Sequence, residues 1–216
     1  MSGRRLEAVE LGVDLGGRTL LEDITLIALA GVPVALSGPS GSGKTVLLYA
    51  LAGLLPSVSG RVLLDGVPLA SGDTRDRAKF GIVLQGGGLA SGLTSEENVA
   101  LPLQARGLDR EEVASRSRES LAAVGLDDTA DRLVEDLSGG QRQRVGVARA
   151  LAGSPEVLLA DEPTAELDPS NRSRVISLLL NPASAMIVFI ASNDPEVCGA
   201  CHCNVHLRDG RIISID

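Results

Sequence analysis

Along the chain, apolar positions change rhythm several times, and each change predicts an element. Residues 4–29 alternate loosely, with Gly16-Gly17 between two apolar stretches, which predicts an antiparallel hairpin. Residues 32–37 form a short apolar run, the pattern of a buried strand, and lead into a glycine-rich loop; residues 44–55 follow as a helix. Residues 61–65 read as a further strand of the same antiparallel region, closed by Asp65-Gly66, and residues 80–85 as a strand ending in Gly86-Gly87-Gly88. From there to residue 154 strand-like runs stop, and a helical period rich in Glu, Arg and Ala takes over, broken at Gly107 and Gly125. Residues 157–160, 175–180 and 187–191 then alternate strand, helix and strand, as a parallel sheet with crossover helices requires. Residues 205–208 and 211–214 flank Asp209-Gly210, a strong hairpin signal.

These elements predict an α/β fold. Residues 1–85 and 155–216 supply a parallel-sheet core with an antiparallel β-subdomain, and residues 86–154 an inserted helical subdomain, all in one globular unit. With 216 residues, 44% of them hydrophobic, the chain is able to bury a substantial core. The formal net charge of -8 argues against holding nucleic acid or anionic lipid through bulk electrostatics. The longest apolar stretch, 175–191, is interrupted by Asn181 and Pro182, and residues 1–11 mix Arg4, Arg5, Glu7 and Glu10 with apolar positions. Neither reads as a membrane span or a secretory leader, so the expectation is a soluble chain without direct membrane insertion.

The chemistry concentrates in a few places. Gly38-Pro39-Ser40-Gly41-Ser42-Gly43-Lys44-Thr45 fills the phosphate-cradle pattern G-x-x-x-x-G-K-[ST] between a strand and a helix. Its glycines allow successive N–H groups to point into one concavity, which the positive end of the following helix also faces. Lys44 adds a full charge for the outer phosphates, and Thr45 a hydroxyl for magnesium. The strand at 157–160 ends in Asp161-Glu162, at the carboxyl end of a parallel sheet where such folds bind ligands. Asp161 is the expected magnesium partner and Glu162 the expected group to polarise an attacking water. Gln85, at a strand end before three glycines, is placed to reach the metal or the water. Downstream, Leu137-Ser138-Gly139-Gly140-Gln141 opens a helix with the donors needed to hold a phosphate from the opposite side.

With these motifs in this order, the chain resembles the ATP-binding subunit of ABC transporters over essentially its whole length. Residues 38–45, Gln85, 137–141, 157–162 and Glu166-Leu167-Asp168 carry the resemblance. The segment 93–102 resembles the branch that serves lipoprotein-release, macrolide-efflux and cell-division type membrane subunits. The resemblance implies ATP and Mg2+ as ligands and a head-to-tail dimer, homo- or heterodimeric, with two ATP molecules at the interface. Ser138, Gly139 and Gly140, with Gln141 beside them, would face the γ-phosphate held by the other subunit, and Asp168 would lie along the seam. The region after Gln85, with the helical subdomain, would hold integral membrane permease subunits and keep the chain cytoplasmic, at the inner face of the membrane.

The chain departs from the family pattern twice. Leu15 aligns where the family stacks adenine on an aromatic residue, and the only aromatics, Tyr49, Phe80 and Phe189, lie in expected core elements. A missing stacking partner weakens nucleotide binding by about 0.5–1.5 kcal/mol. Asn193 stands where the family carries a histidine that bonds the γ-phosphate. Asparagine donates a hydrogen bond without charge, so slow hydrolysis is expected, since a lost donor costs about 10²–10³ in turnover. Rival readings are a regulatory module that closes on ATP with little hydrolysis, and a non-transport relative acting on DNA or ribosomes. Cys198-Gly199-Ala200-Cys201-His202 spells a haem-attachment pattern, with Cys203 and His206 as further candidate zinc ligands; the ordinary reading is a short helix running into the final hairpin.

Overall fold

The computed structural model describes residues 4–70, 72–181 and 185–216. The first hairpin is β1 (Arg5–Leu15) and β2 (Arg18–Leu29). Its alternation is loose because each strand carries an extra residue. Leu6 and Ala8 are buried before Glu10, Leu11 and Val13 after it; in β2 Leu21 is buried before Asp23, and Ile24, Leu26 and Ala28 after it. Glu10 and Asp23 adopt φ of 50° and 53°, and the register shifts beside both. Two bulges thus flip the inward parity in step, keeping one face apolar.

β3 (Val34–Ser37) leads through the glycine loop into α1 (Lys44–Leu51). β4 (Ser59–Leu64) and β5 (Val67–Pro68) complete a four-stranded antiparallel sheet of order β2-β1-β4-β5. After α2 (Thr74–Arg77) comes β6 (Phe80–Val83), then α3 (Ser95–Ala105), α4 (Arg110–Ala123) and α5 (Gly139–Ala152). β7 (Val157–Asp161), α6 (Pro169–Leu179), β8 (Ile187–Ala191), α7 (Pro195–Ala200), β9 (Cys203–Arg208) and β10 (Arg211–Ile215) finish the chain. Among the described residues the second sheet has six strands in the order β10-β9-β3-β8-β7-β6, parallel except for the β9–β10 hairpin.

The α/β architecture read from the sequence is therefore the one observed, with shifted boundaries. α1 stops at Leu51, short of the expected 55, where Gly53 turns the chain at φ 65°. β6 stops at Val83, so Gln85 sits in the turn beyond the strand rather than at its end. α6 begins at Pro169, well before 175, because Asp168 caps it and proline suits a first helical position. The polar residues of its first turns hid that start. Of the break expected at Asn181 and Pro182, Pro182 lies outside the described residues.

The central strands β3, β7 and β8 are buried on both faces, which is why they read as continuous apolar runs, whereas the edge strand β10 is mostly exposed. Leu36, Leu159 and Phe189 join the core shared with α1 and the antiparallel sheet, whereas Leu158, Val188 and Ile190 pack toward the helices. Phe189 is the largest fully buried side chain, and truncating it to alanine is expected to cost about 3–5 kcal/mol. Two rigid layers thus hold the carboxyl ends of β3, β6, β7 and β8 side by side, and the candidate site lies there.

Candidate active site

The loop between β3 and α1 owes its shape to glycine at defined points. Gly38 has φ 143°, and a Cβ there would lie 2.1 Å from the Leu207 carbonyl oxygen of β9. Gly43, at φ 105°, is the N-cap of α1 and offers no side chain to the helix end. The first N–H groups of α1 are thereby left to whatever anion the loop encloses. The C-terminal hairpin braces the loop from behind, where the Gly210 N–H donates to the Ser42 carbonyl at 3.0 Å. The Lys44 ammonium donates to the carbonyls of Gly38 and Pro39 at 2.7 and 3.2 Å, folding over its own loop.

In front of this loop is a cavity of about 440 Å3, lined by Ser40, Gly41, Gly43, Lys44 and Thr45. Gln85, Asp161, Glu162 and Asn193 line it too, each from just beyond or at the end of a different or adjacent strand, as do Arg18, Leu20 and Val46. The Thr45 hydroxyl donates to Asp161 Oδ2 at 2.6 Å, and Asp161 is buried. Burial, then the Asp161 charge, pushes the Tyr49 phenol above its ordinary range. A hydroxyl, a carboxylate and the Gln85 amide on one cavity make an all-oxygen donor set, which fits Mg2+ together with phosphate oxygens. Glu162 follows Asp161 in a left-handed conformation, φ 45°, which a non-glycine residue adopts at a cost of about 1 kcal/mol or more. Its N–H donates to the Ala191 carbonyl at 2.9 Å, and its Oε2 accepts the Ser192 hydroxyl at 3.1 Å. Asn193 Oδ1 accepts the Gly38 N–H at 3.0 Å, so the amide is anchored to the loop through its oxygen and keeps its nitrogen as donor.

A larger cleft of about 820 Å3, reached by Arg116, Leu151 and Leu178, holds neither the glycine loop nor the strand-ending acids. The phosphate-loop residues and the strand-ending acids gather at the smaller cavity.

The sequence profile described as "ABC transporter" matches residues 21–165, more than half of the chain and most of these motifs. This chain belongs to the ABC transporter family. It is similar to the lipoprotein-releasing system ATP-binding protein LolD of Nitrobacter hamburgensis, 39% identical over 206 residues, covering 92% of this chain and 88% of that protein. The methionine import ATP-binding protein MetN of Rhizobium meliloti is 38% identical over 202 residues, covering 90% of this chain and 56% of that protein. The dimeric ABC transporter cassette MJ0796 superposes with a TM-score of 0.91 at 31% identity, covering 98% of this chain and 97% of that one. A post-hydrolysis dimer of the same cassette, bound to ADP and Pi, gives 0.90 at 30% identity over 98% and 97% of the two chains. The chain is an ATP-binding cassette with an ATPase activity coupled to transport.

In this ABC cassette Ser138, Gly139, Gly140 and Gln141 do not line the cavity; they form a separate tip at the start of α5. The Ser138 hydroxyl accepts the Gln141 N–H at 3.3 Å and the Gln141 Oε1 accepts the Ser138 N–H at 2.9 Å, a reciprocal capping box. Asp168 likewise caps α6, accepting the Asn171 N–H and side-chain amide at 3.1 and 2.6 Å. Those bonds hold its carboxyl below the ordinary carboxylate range.

Leu15 stands apart from the other candidate residues. It is 63% exposed at the end of β1 and outside the cavity lining, which Arg18 and Leu20 reach from the start of β2. Their signal in the sequence was only that they follow the Gly16-Gly17 turn. Ser192 was passed over because a serine before Asn193 shows its partner only in three dimensions. The cysteines fall at different points of two elements: Cys198 lies in α7, Cys201 is its C-cap and Cys203 opens β9. Burial pushes all three thiols up, Cys201 to about 11, so they are protonated at neutral pH. His206 turns to Ser37 at 2.6 Å and Asp216 at 2.9 Å, away from thiol chemistry, and no group of three metal-ligating side chains occurs among the described residues.

Proposed function

We propose that this cassette closes as a pair of copies over two MgATP molecules and drives integral membrane permease subunits of the release or efflux type. The observation that carries this reading is a division of labour. One surface gathers the phosphate loop with Asp161 and Glu162, while Ser138 and its glycines stand apart on a helix tip that one copy has no phosphate to offer. A second copy placed head to tail supplies it.

In this scheme loop and helix-start N–H groups such as those of Gly41, Gly43, Lys44 and Thr45, with the Lys44 ammonium, bind the β- and γ-phosphates. Thr45, Asp161 and Gln85 would hold Mg2+, which when bound would neutralise charge on the phosphate oxygens. Glu162 accepts a proton from the attacking water. Ser138, Gly139 and Gly140 close on the γ-phosphate from the partner copy, and Asp168 lies along the seam. Asn193 offers an uncharged amide donor, so turnover is slow beside relatives that carry histidine there.

A groove of about 280 Å3, lined largely by apolar side chains including Leu54, Phe80, Leu84 and Pro102, lies between the sheet and the helices and suits an inserted permease segment. Arg149 of α5 donates to the carbonyls of Gly87 and Gly88 at 2.9 Å each, tying the segment after Gln85 to the helix that begins at Ser138. Movement at Gln85 is therefore passed to the groove and to the tip together. No helix among the described residues is long and apolar enough to cross a membrane, and the proposed contact with the membrane is through the permease subunits.

The test is light scattering of the Glu162→Gln variant titrated with MgATP. The expected result is a nucleotide-dependent shift from one copy to two, and a chain that binds MgATP yet stays single overturns the sandwich.

A further inference from the structure

We infer that Ser192 is a positioning residue for Glu162, fixing by one hydrogen bond the direction in which that carboxylate meets the attacking water. Ser192 is fully buried, and its backbone is engaged at both ends: its N–H donates to the Leu36 carbonyl at 3.0 Å, and its carbonyl accepts the Cys198 thiol at 3.6 Å. Its hydroxyl oxygen accepts the Asp194 N–H at 3.1 Å. With that acceptor site filled, the hydroxyl hydrogen is turned to Glu162 Oε2, 3.1 Å away. Asp194 is itself held, by the Arg172 guanidinium of α6 at 3.3 Å and by capping α7 through the Glu196 N–H at 2.9 Å.

Glu162 needs such a restraint. Its side chain leaves a left-handed backbone at the edge of an open cavity, and its N–H bond to Ala191 fixes the main chain without choosing a carboxylate rotamer. A flexible carboxylate spends most of its time off the line of attack. With Oε2 held by Ser192, Oε1 is the oxygen left to take the proton from water. Asn193 meanwhile holds the loop that carries the phosphate, so adjacent residues, 192 and 193, set the two reacting partners relative to each other.

This inference rests on the reading of Glu162 as the group that activates water, and a double-mutant cycle separates the two. Ser192→Ala is expected to lower kcat about tenfold with KM for MgATP changed less than about twofold, because the direction of the Glu162 carboxylate matters to the attack of water and not to nucleotide binding. In a Glu162→Ala background the same change is expected to have no further effect. An equal loss on both backgrounds, a loss expressed in KM, or no loss at all overturns the role of Ser192. Unchanged turnover in Glu162→Ala alone overturns the reading beneath it. Should the alanine variant fail to fold, Ser192→Cys, which keeps the shape with a poorer donor, goes through the same cycle with the same criteria.

Discussion

The first turns of α1 and α5 both have glycine at their start, Gly43 before α1 and Gly139-Gly140 opening α5, and both aim toward phosphate in the proposed dimer, yet they are finished in opposite ways. At α1 the N-cap is Gly43, no side chain caps the helix, and the open donors face a cavity that already holds Lys44, Asp161 and Glu162. At α5 the N-cap is Ser138, which with Gln141 closes a complete capping box, and no part of the tip reaches that cavity. An uncapped helix end is costly unless an anion completes it; a boxed end is stable alone and meets an anion by sharing its hydroxyl. The first is a binding site in one copy. In the proposed dimer the second becomes one only on association, which would tie closure to nucleotide.

The contrast is sharpened most by separating chemistry from grip. Glu162→Gln is expected to lower steady-state ATP hydrolysis about 10³-fold while MgATP binding persists, measured by phosphate release beside equilibrium binding. Lys44→Ala attacks the open end directly, and a fall of about 10²–10³ in kcat/KM is expected, with nucleotide binding weakened in the single copy. The boxed end should behave differently. Ser138→Ala is expected to leave nucleotide binding by one copy intact, to weaken MgATP-driven association about tenfold, and to cost about 1 kcal/mol of stability by thermal unfolding. If it weakened binding in the single copy as Lys44→Ala does, the distinction between the two ends would break. Asn193→His adds a donor able to carry charge beside the γ-phosphate and is expected to raise kcat several-fold, about 1 kcal/mol of barrier. The smallest effect belongs to Arg18→Ala, which removes a guanidinium from the cavity rim and should raise the dissociation constant of MgATP about threefold, or 0.5–1 kcal/mol.

The open end was the more legible of the two in the sequence, because its chemistry is local. The loop, its lysine and its threonine are contiguous, and the acids fall at the end of an apolar strand. Even the stretch at Ser138 was readable as a helix start, since a capping box is a spacing rule. Illegible were groups whose role depends on which strands lie side by side. Nothing in the order of residues places Ser192 against Glu162, Asn193 against Gly38, or Arg18 at the cavity. The β1–β2 hairpin shows the limit at a smaller scale: two bulges at Glu10 and Asp23 turned a regular pattern into a loose one, and only the register of the pair restores it.

By itself, the order of residues determined the α/β class, the glycine loop, the strand-ending acids and the helix tip, because turn, strand and cap preferences act over a few neighbouring residues. Tertiary structure alone decided which of these share a cavity. The parallel sheet brings β3, β7 and β8 together from distant parts of the chain. Hydrogen bonds such as those from Ser192 to Glu162 and from Gly38 to Asn193 form only once that packing has set the distances.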